Sequence, residues 1–362
     1  MPTVTGAGRL FPPLDRQLKI PARGASGLLV RKICEANRAG SFPKASELLF
    51  ELAGLRISPK RAQWTTERVG QLLVEERDRK TEEFLERRRV TEAASGQEPV
   101  ELLVVSADGG RVQTRQEDPD QKWKEDKIGV VYDASACREQ AGQQYKGPEP
   151  LTKSVVGTIE SWERLADHLS AVADRRGQRH ARQVVFVSDG AQAIRSLRER
   201  CFPDAAFVLD WKHATDNLRQ ASVVGLGSGP RADRWYERQK ERLWEGRTDR
   251  FLKHLAGLAR QIGPPGEDGP GSDQLRVLAN VQDYFRTNRA GLDYPAFRRK
   301  GWPLASAQTE STIKQVGKRI KGSEKHWSLS GVEQTLQVTT HLVANDGTWE
   351  SFWQRNAWAT HN

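Results

Sequence analysis

The chain has 362 residues and a net charge of +10, from 57 Lys and Arg against 47 Asp and Glu. That length suits two or three domains, and a hydrophobic fraction of 37%, with 11 Trp and 11 Phe spread along the chain, excludes wholesale disorder. No apolar run approaches the ~20 residues of a bilayer span, no secretory signal opens the sequence, and three scattered cysteines (Cys34, Cys137, Cys201) make neither a disulfide framework nor a zinc ribbon.

The expectation is a cytoplasmic protein with a polyanionic partner, because each neutralised phosphate releases condensed counterions. Residues 1–24, rich in Pro, Gly and Arg, read as an arm. A helical region follows over 25–98. In KASELLFELAG the apolar residues fall three and four apart and Gly54 supplies a stop; Ser58-Pro59 then opens a second helix. Two helices joined in this way form either a DNA-binding helix-turn-helix, with Lys60 and Arg61 at the groove-facing start, or a plain helical hairpin. EERDRKTEEFLERRR continues as a charged, solvated helix.

The pattern changes after EAASGQEP. ELLVVSAD, KIGVVYDA and SVVGTI read as three strands, and SWERLADHLSAVADRRG as a helix with Trp162, Leu165, Leu169 and Val172 on one face. QVVFVSD is a fourth strand, a short helix with Ile194 and Leu197 follows, and AAFVLD is a fifth strand. This is an α/β layer architecture over 99–222. The glycine-rich VGLGSGP starts a helical insertion over 223–295, which contains the loop GPPGEDGPGS; no Gly-Lys-Ser/Thr follows those glycines, so no nucleotide is expected. Residues 296–345 return to the core with the helix AQTESTIKQVGKRIKG, and 346–362 form a short tail.

Asp108 and Asp189 each end a hydrophobic strand and precede glycine. A carboxylate at the end of a buried strand is rigid yet open to solvent, as a Mg²⁺ ligand must be; the competing reading is an ordinary Asp-Gly turn. Glu310 shares one helix face with Lys314, Gly317 and Lys321, beside an apolar stripe of Ile313, Val316 and Ile320. It reads as a third ligand at the rim of the sheet, with Lys314, Lys318, Arg319 and Lys321 holding phosphates, or as an exposed Glu-Lys pair four apart. Asp210 and His213 form an Asp-x-x-His unit after the fifth strand, and the reading favours a supporting role behind the ligands.

These segments together resemble the insertion-sequence transposases of the ISKra type. The residues that carry the resemblance are VSADG, WKEDKIGVVYDA, VVFVSDGAQAIRSLRERCFPDAAFVLDWKHATDNL and ESTIKQVGKRIKGSEKHWS, with PPLD, SFPKASELLFELAG, LWEGRTDRFLKHLAGLA and DYPAFRRKGWPLASAQTES outside them. The resemblance implies the DDE superfamily and a ribonuclease H-like catalytic core, a mixed five-stranded sheet with helices, interrupted by the insertion. In that superfamily one Asp follows the first strand, a second follows the fourth, and a Glu lies on a late helix. Carried over, these are Asp108, Asp189 and Glu310. The implied chemistry is cleavage and joining of DNA strands by two Mg²⁺ or Mn²⁺ ions. The implied partners are double-stranded DNA, as element ends and target, and further copies of the chain on that DNA.

Two departures from the family pattern stand out. Gly-Ser-Gly before the glutamate is here Ala305-Ser306-Ala307, and alanine at a left-handed turn would be strained. A Cys-rich zinc ribbon is also expected upstream of PPLD. The alternatives are a DNA-binding descendant of a transposase that no longer cuts, and a ribonuclease H-like nuclease.

Overall fold

A computed structural model describes residues 26–89, 100–116, 118, 122–137, 144–262, 271–322 and 324–356, together with short strands β1 (Thr3–Thr5) and β2 (Arg9–Phe11), which pair antiparallel. PPLD, the linker EAASGQEP, most of GPPGEDGPGS and the last six residues lie outside the described residues.

Three helices come first: α1 (Gly27–Ala36), α2 (Phe42–Ala53) and α3 (Pro59–Arg89). Gly54 ends α2 in the left-handed region at φ 66°, its N–H donating to Leu49 and Phe50 carbonyls, and the Ser58 hydroxyl accepts from the Arg61 N–H at the start of α3. At 31 residues, α3 absorbs the whole charged run. It is held along the body of the protein by its apolar side. Gly70 lies so close to a later helix, α12 (Leu329–Val343), that a Cβ there would meet the Gln334 carbonyl oxygen at 2.1 Å.

The core sheet contains β3 (Leu102–Gln113), β4 (Trp123–Ala134), β5 (Pro150–Thr158), β6 (Val184–Ser188) and β7 (Ala206–Leu209), in the order β5-β4-β3-β6-β7. The first three strands form an antiparallel meander, whereas β3, β6 and β7 run parallel. Helices on both faces explain why these strands read as nearly unbroken apolar runs. On one face Leu103, Val105 and Phe186 pack under α4 (Trp162–Arg175) and α5 (Gln192–Cys201), through Leu165, Leu169, Ile194 and Leu197. On the other face Val104, Val130 and Val187 pack under α6 (Trp211–Leu226), α11 (Ala307–Ile320) and α12, through Leu218, Val316 and Leu336.

Between α6 and α11 lie α7 (Pro230–Trp244), α8 (Thr248–Ile262), α9 (Gly271–Thr287) and α10 (Tyr294–Lys300), and the chain closes with α13 (Thr348–Arg355). The expected break at 223 starts late, because α6 continues to Leu226. Val224 and Leu226 pack against the core there, and α8 comes close enough that a Cβ on Gly225 would meet Leu258 at 3.3 Å. Among the described residues no helix is long and apolar enough to cross a membrane.

Candidate metal centre

The parallel register brings three aspartates into one row. Pairs run from Leu103–Val184 to Ser106–Val187, so two more residues set Asp108 beside Asp189. Pairs from Val185–Ala206 to Ser188–Leu209 set Asp189 beside Asp210. The row lies at the carboxyl ends of β6 and β7, where backbone pairing gives way to loops and helix starts.

β3 itself does not stop there. It runs five residues past Asp108, paired only with β4, so Asp108 lies in a strand and not in an Asp-Gly turn. Burial pushes the Asp108 carboxyl above the usual carboxylate range, and the nearby Asp189 charge adds to this; the Gly109 N–H, donating at 2.6 Å, and the charges of His213 and Lys321 oppose it.

Asp189 does sit in a turn. Gly190 follows at φ 82°, and the Asp189 carboxylate accepts from the Ala191 N–H at 2.9 Å. The insertion grips this turn: the Tyr284 hydroxyl donates to the Asp189 carbonyl at 2.8 Å, and the Asn288 amide to the Gly190 carbonyl at 3.3 Å. Burial and the charges of Asp189 and Asp210 raise the Tyr284 phenol, which keeps it a donor. Neither Tyr284 nor Asn288 stands out in the sequence, since helix α9 reads there as plain amphipathic packing.

Asp210 is fully buried and caps α6, its Oδ1 accepting from the His213 N–H at 3.0 Å. Its Oδ2 accepts from both the N–H and the hydroxyl of Ser306, at 2.6 and 2.7 Å, directly before α11. Ala307 is already helical, so the second of the two alanines needs no left-handed conformation. That tie brings Glu310 to the sheet. One ligand atom each from Asp210, His213 and Glu310 lie within 4.8 Å of one another, a group of metal-binding type. The Glu310–Lys314 pair also forms, at 3.5 Å, with Lys314 largely exposed.

The lysine face differs in part from the helical pattern. Helix α11 ends at Ile320, so Lys321 leaves the helical face in an extended conformation, and its Nζ lies 3.1 Å from the buried Asp126 carboxylate. Asp126 stands across from Gly110, where a Cβ would collide with Lys321 Nζ. The glycine pair Gly109-Gly110 is the sequence signal for this close approach. Arg319 is 3% exposed and lies over the rings of Phe42 and Trp327, where a DNA phosphate cannot reach it. Lys60, Arg61, Lys314 and Lys318 are exposed.

The residues fit an oxygen-preferring dication. Asp108 and Asp189 are adjacent carboxylates, and among the described residues neither has a Lys or Arg at ion-pair distance. Burial and like charge disfavour ionised Asp108, a penalty that bound Mg²⁺ or Mn²⁺ would reverse. Asp210 is engaged differently: both its oxygens already accept hydrogen bonds from the protein.

A search of curated proteins finds no match. The sequence profile of an uncharacterised protein family, UPF0236, matches residues 13–356.

Proposed function

We propose that this chain, which belongs to UPF0236, is a DDE-type transposase with a ribonuclease H-like core that cleaves and joins DNA strands. What supports this reading is the pair of neighbouring carboxylates Asp108, on the first core strand, and Asp189, after the fourth, with Glu310 on a late helix grouped with Asp210 after the next strand.

Asp108, Asp189 and Glu310 are the residues that would hold the divalent ions. When bound, the ions lower the pKa of a water or a DNA 3′-hydroxyl and stabilise the leaving oxygen. The chain's own part is placement. Asp210 fixes the start of α11 through Ser306 and so sets the reach of Glu310. Tyr284 and Asn288 fix the turn that carries Asp189. In this reading the exposed Lys60, Arg61, Lys314 and Lys318 bind backbone phosphates of the element ends and target, on which several copies of the chain assemble.

The test is a Mg²⁺- or Mn²⁺-dependent cleavage assay on terminal-repeat DNA. Asp108→Ala and Glu310→Ala should abolish cutting and leave the fold intact. If both variants cut as well as the parent, the two-metal assignment is wrong. Tight binding by the parent without any cutting would favour a DNA-binding descendant, and nicking without joining a nuclease.

A further inference from the structure

Outside the carboxylate site, the first two helices of the insertion carry an excess of basic residues. At 100° per residue, Arg234, Arg238 and Arg242 fall on one flank of α7, beside its buried stripe of Ala232, Trp235, Gln239 and Leu243. Its acids Asp233, Glu237 and Glu241 form the adjoining row on the solvent side, away from the buried stripe. Helix α8 packs against α7 after a short turn, and Arg250 and His254 lie four apart on one flank of it, beside the buried Phe251 and Leu255. We propose that this face of the α7–α8 hairpin, through Arg238, Arg242, Arg250 and His254, is a second binding site for the phosphate backbone of duplex DNA, separate from the carboxylate centre. The inference rests on the transposase reading for its choice of DNA as the polyanion.

Burial first, and then the neighbouring charges of Arg250, Arg247 and Arg238, hold the Arg242 guanidinium below its usual range, against the weaker opposing charge of Glu241. The His254 imidazole is likewise lowered, by burial and by Arg242, Arg250 and Arg238. These groups therefore share one field and repel one another. Among the described residues Arg238 and Arg250 have no ion-pair partner, although Glu237 and Glu241 stand in the row next to Arg238, and Glu237 pairs instead with Lys240. Cations held together without their own counter-charges lower their energy when a row of phosphates neutralises them, and a guanidinium meets two phosphate oxygens at once. A duplex offers such charges at regular spacing along both helices. The hairpin also packs on α9, which holds the Asp189 turn, so DNA bound here is anchored to the body that positions the site.

The experiment measures binding of a short terminal-repeat duplex by fluorescence anisotropy across a salt series, with the full chain. The double variant Arg238→Ala/Arg250→Ala should bind more weakly, and the slope of log K against log salt should fall by about 1.8, at roughly 0.9 for each phosphate that is no longer neutralised. Arg238→Lys/Arg250→Lys should keep the parental slope. Both side chains are exposed, so the variants should melt with the parent. An unchanged slope in the alanine variant overturns the site, as does binding of RNA with no binding of duplex DNA. The Asp108→Ala chain separates this from the catalytic reading. If the parent never cuts but the slope still falls on Arg238→Ala/Arg250→Ala, the catalytic reading fails and the binding site stands. Metal-dependent cutting with an unchanged slope has the reverse meaning.

Discussion

Asp210 and Ser306 are joined by two hydrogen bonds to a single oxygen, the serine N–H and hydroxyl both donating to Asp210 Oδ2 at 2.6 and 2.7 Å. The partners are 96 residues apart, and all four helices of the insertion lie between them. The bond pair thus closes the insertion at its base and sets where α11 begins. Because Asp210 is wholly buried, water cannot replace a lost donor. Ser306→Ala should cost about 1.5–3 kcal/mol, the range for a hydrogen bond to a charged group, read as a shift in the urea midpoint. A loss under roughly 0.5 kcal/mol, typical of a surface change, would mean the hydroxyl contributes nothing.

A second prediction concerns pH. His168 is buried on α4, its Nδ1 2.8 Å from the Thr81 hydroxyl on α3, and its pKa is pushed down to about 2 by burial and by Arg77 and Arg164. Asp78 lies 3.7 Å from Nε2 but is shared with those same two arginines, so it does not draw a proton onto the ring. An unfolded histidine titrates near 6.5, so below that pH the unfolded chain gains a proton that the folded chain refuses. The stability from this neutral imidazole is complete above pH ~6.5 and falls by about 1.4 kcal/mol per unit as pH drops further. His168→Gln should remove that slope between pH ~6.5 and ~5, with denaturant unfolding as the measurement. Parallel pH profiles for parent and variant would contradict it.

What is legible in the sequence, and what is not, divides by range. Strands and helices whose pattern is local, such as Leu165 and Leu169 or the Gly54 stop, appear where their periodicity puts them. Asp108 and Asp189 are visible because an aspartate after a buried apolar run is unusual for its cost. The apolar run ends β3 too early, at Asp108, since pairing with β4 continues through Gly109-Gly110 to Gln113 and no single-strand pattern contains that information. Periodicity also puts Lys321 on a helical face that it leaves by one residue, and the buried carboxylate that draws it off sits on a different strand. Arg319 reads as a surface cation because charge suggests solvent, whereas two aromatic rings can bury a guanidinium.

The Lys321–Asp126 pair allows a direct separation of roles. Asp126 is 1% exposed, burial raises its carboxyl, and Lys321 is the neighbour that opposes this most. Lys321→Ala should leave the acid buried without its counter-charge and cost roughly 3 kcal/mol, at the lower end for such pairs because the lysine keeps part of its surface in water. Adding Asp126→Asn should return most of that loss, as a double-mutant cycle would show. If Lys321→Ala leaves stability alone and instead lowers the salt slope of DNA binding, the residue is a phosphate ligand and the pairing is incidental.

The last prediction tests whether the insertion positions Asp189. Gly190 turns at φ 82°, and a Cβ there would sit 2.6 Å from the Asn288 amide nitrogen and 2.8 Å from Leu209 Cδ1. Gly190→Ala should therefore cost about 1–3 kcal/mol, from the left-handed backbone and from side chains forced aside. Tyr284→Phe is the gentler probe: it removes only the hydroxyl that donates to the Asp189 carbonyl, at about 1 kcal/mol of stability. A merely structural tyrosine would change melting and nothing else. A tyrosine that holds the aspartate in place should raise the Mg²⁺ concentration needed for half-maximal cutting, because a looser carboxylate loses orientation before it loses charge. Unchanged metal dependence in Tyr284→Phe, with the expected loss of stability, would confine α9 to packing and leave the placement of Asp189 to the strand register alone.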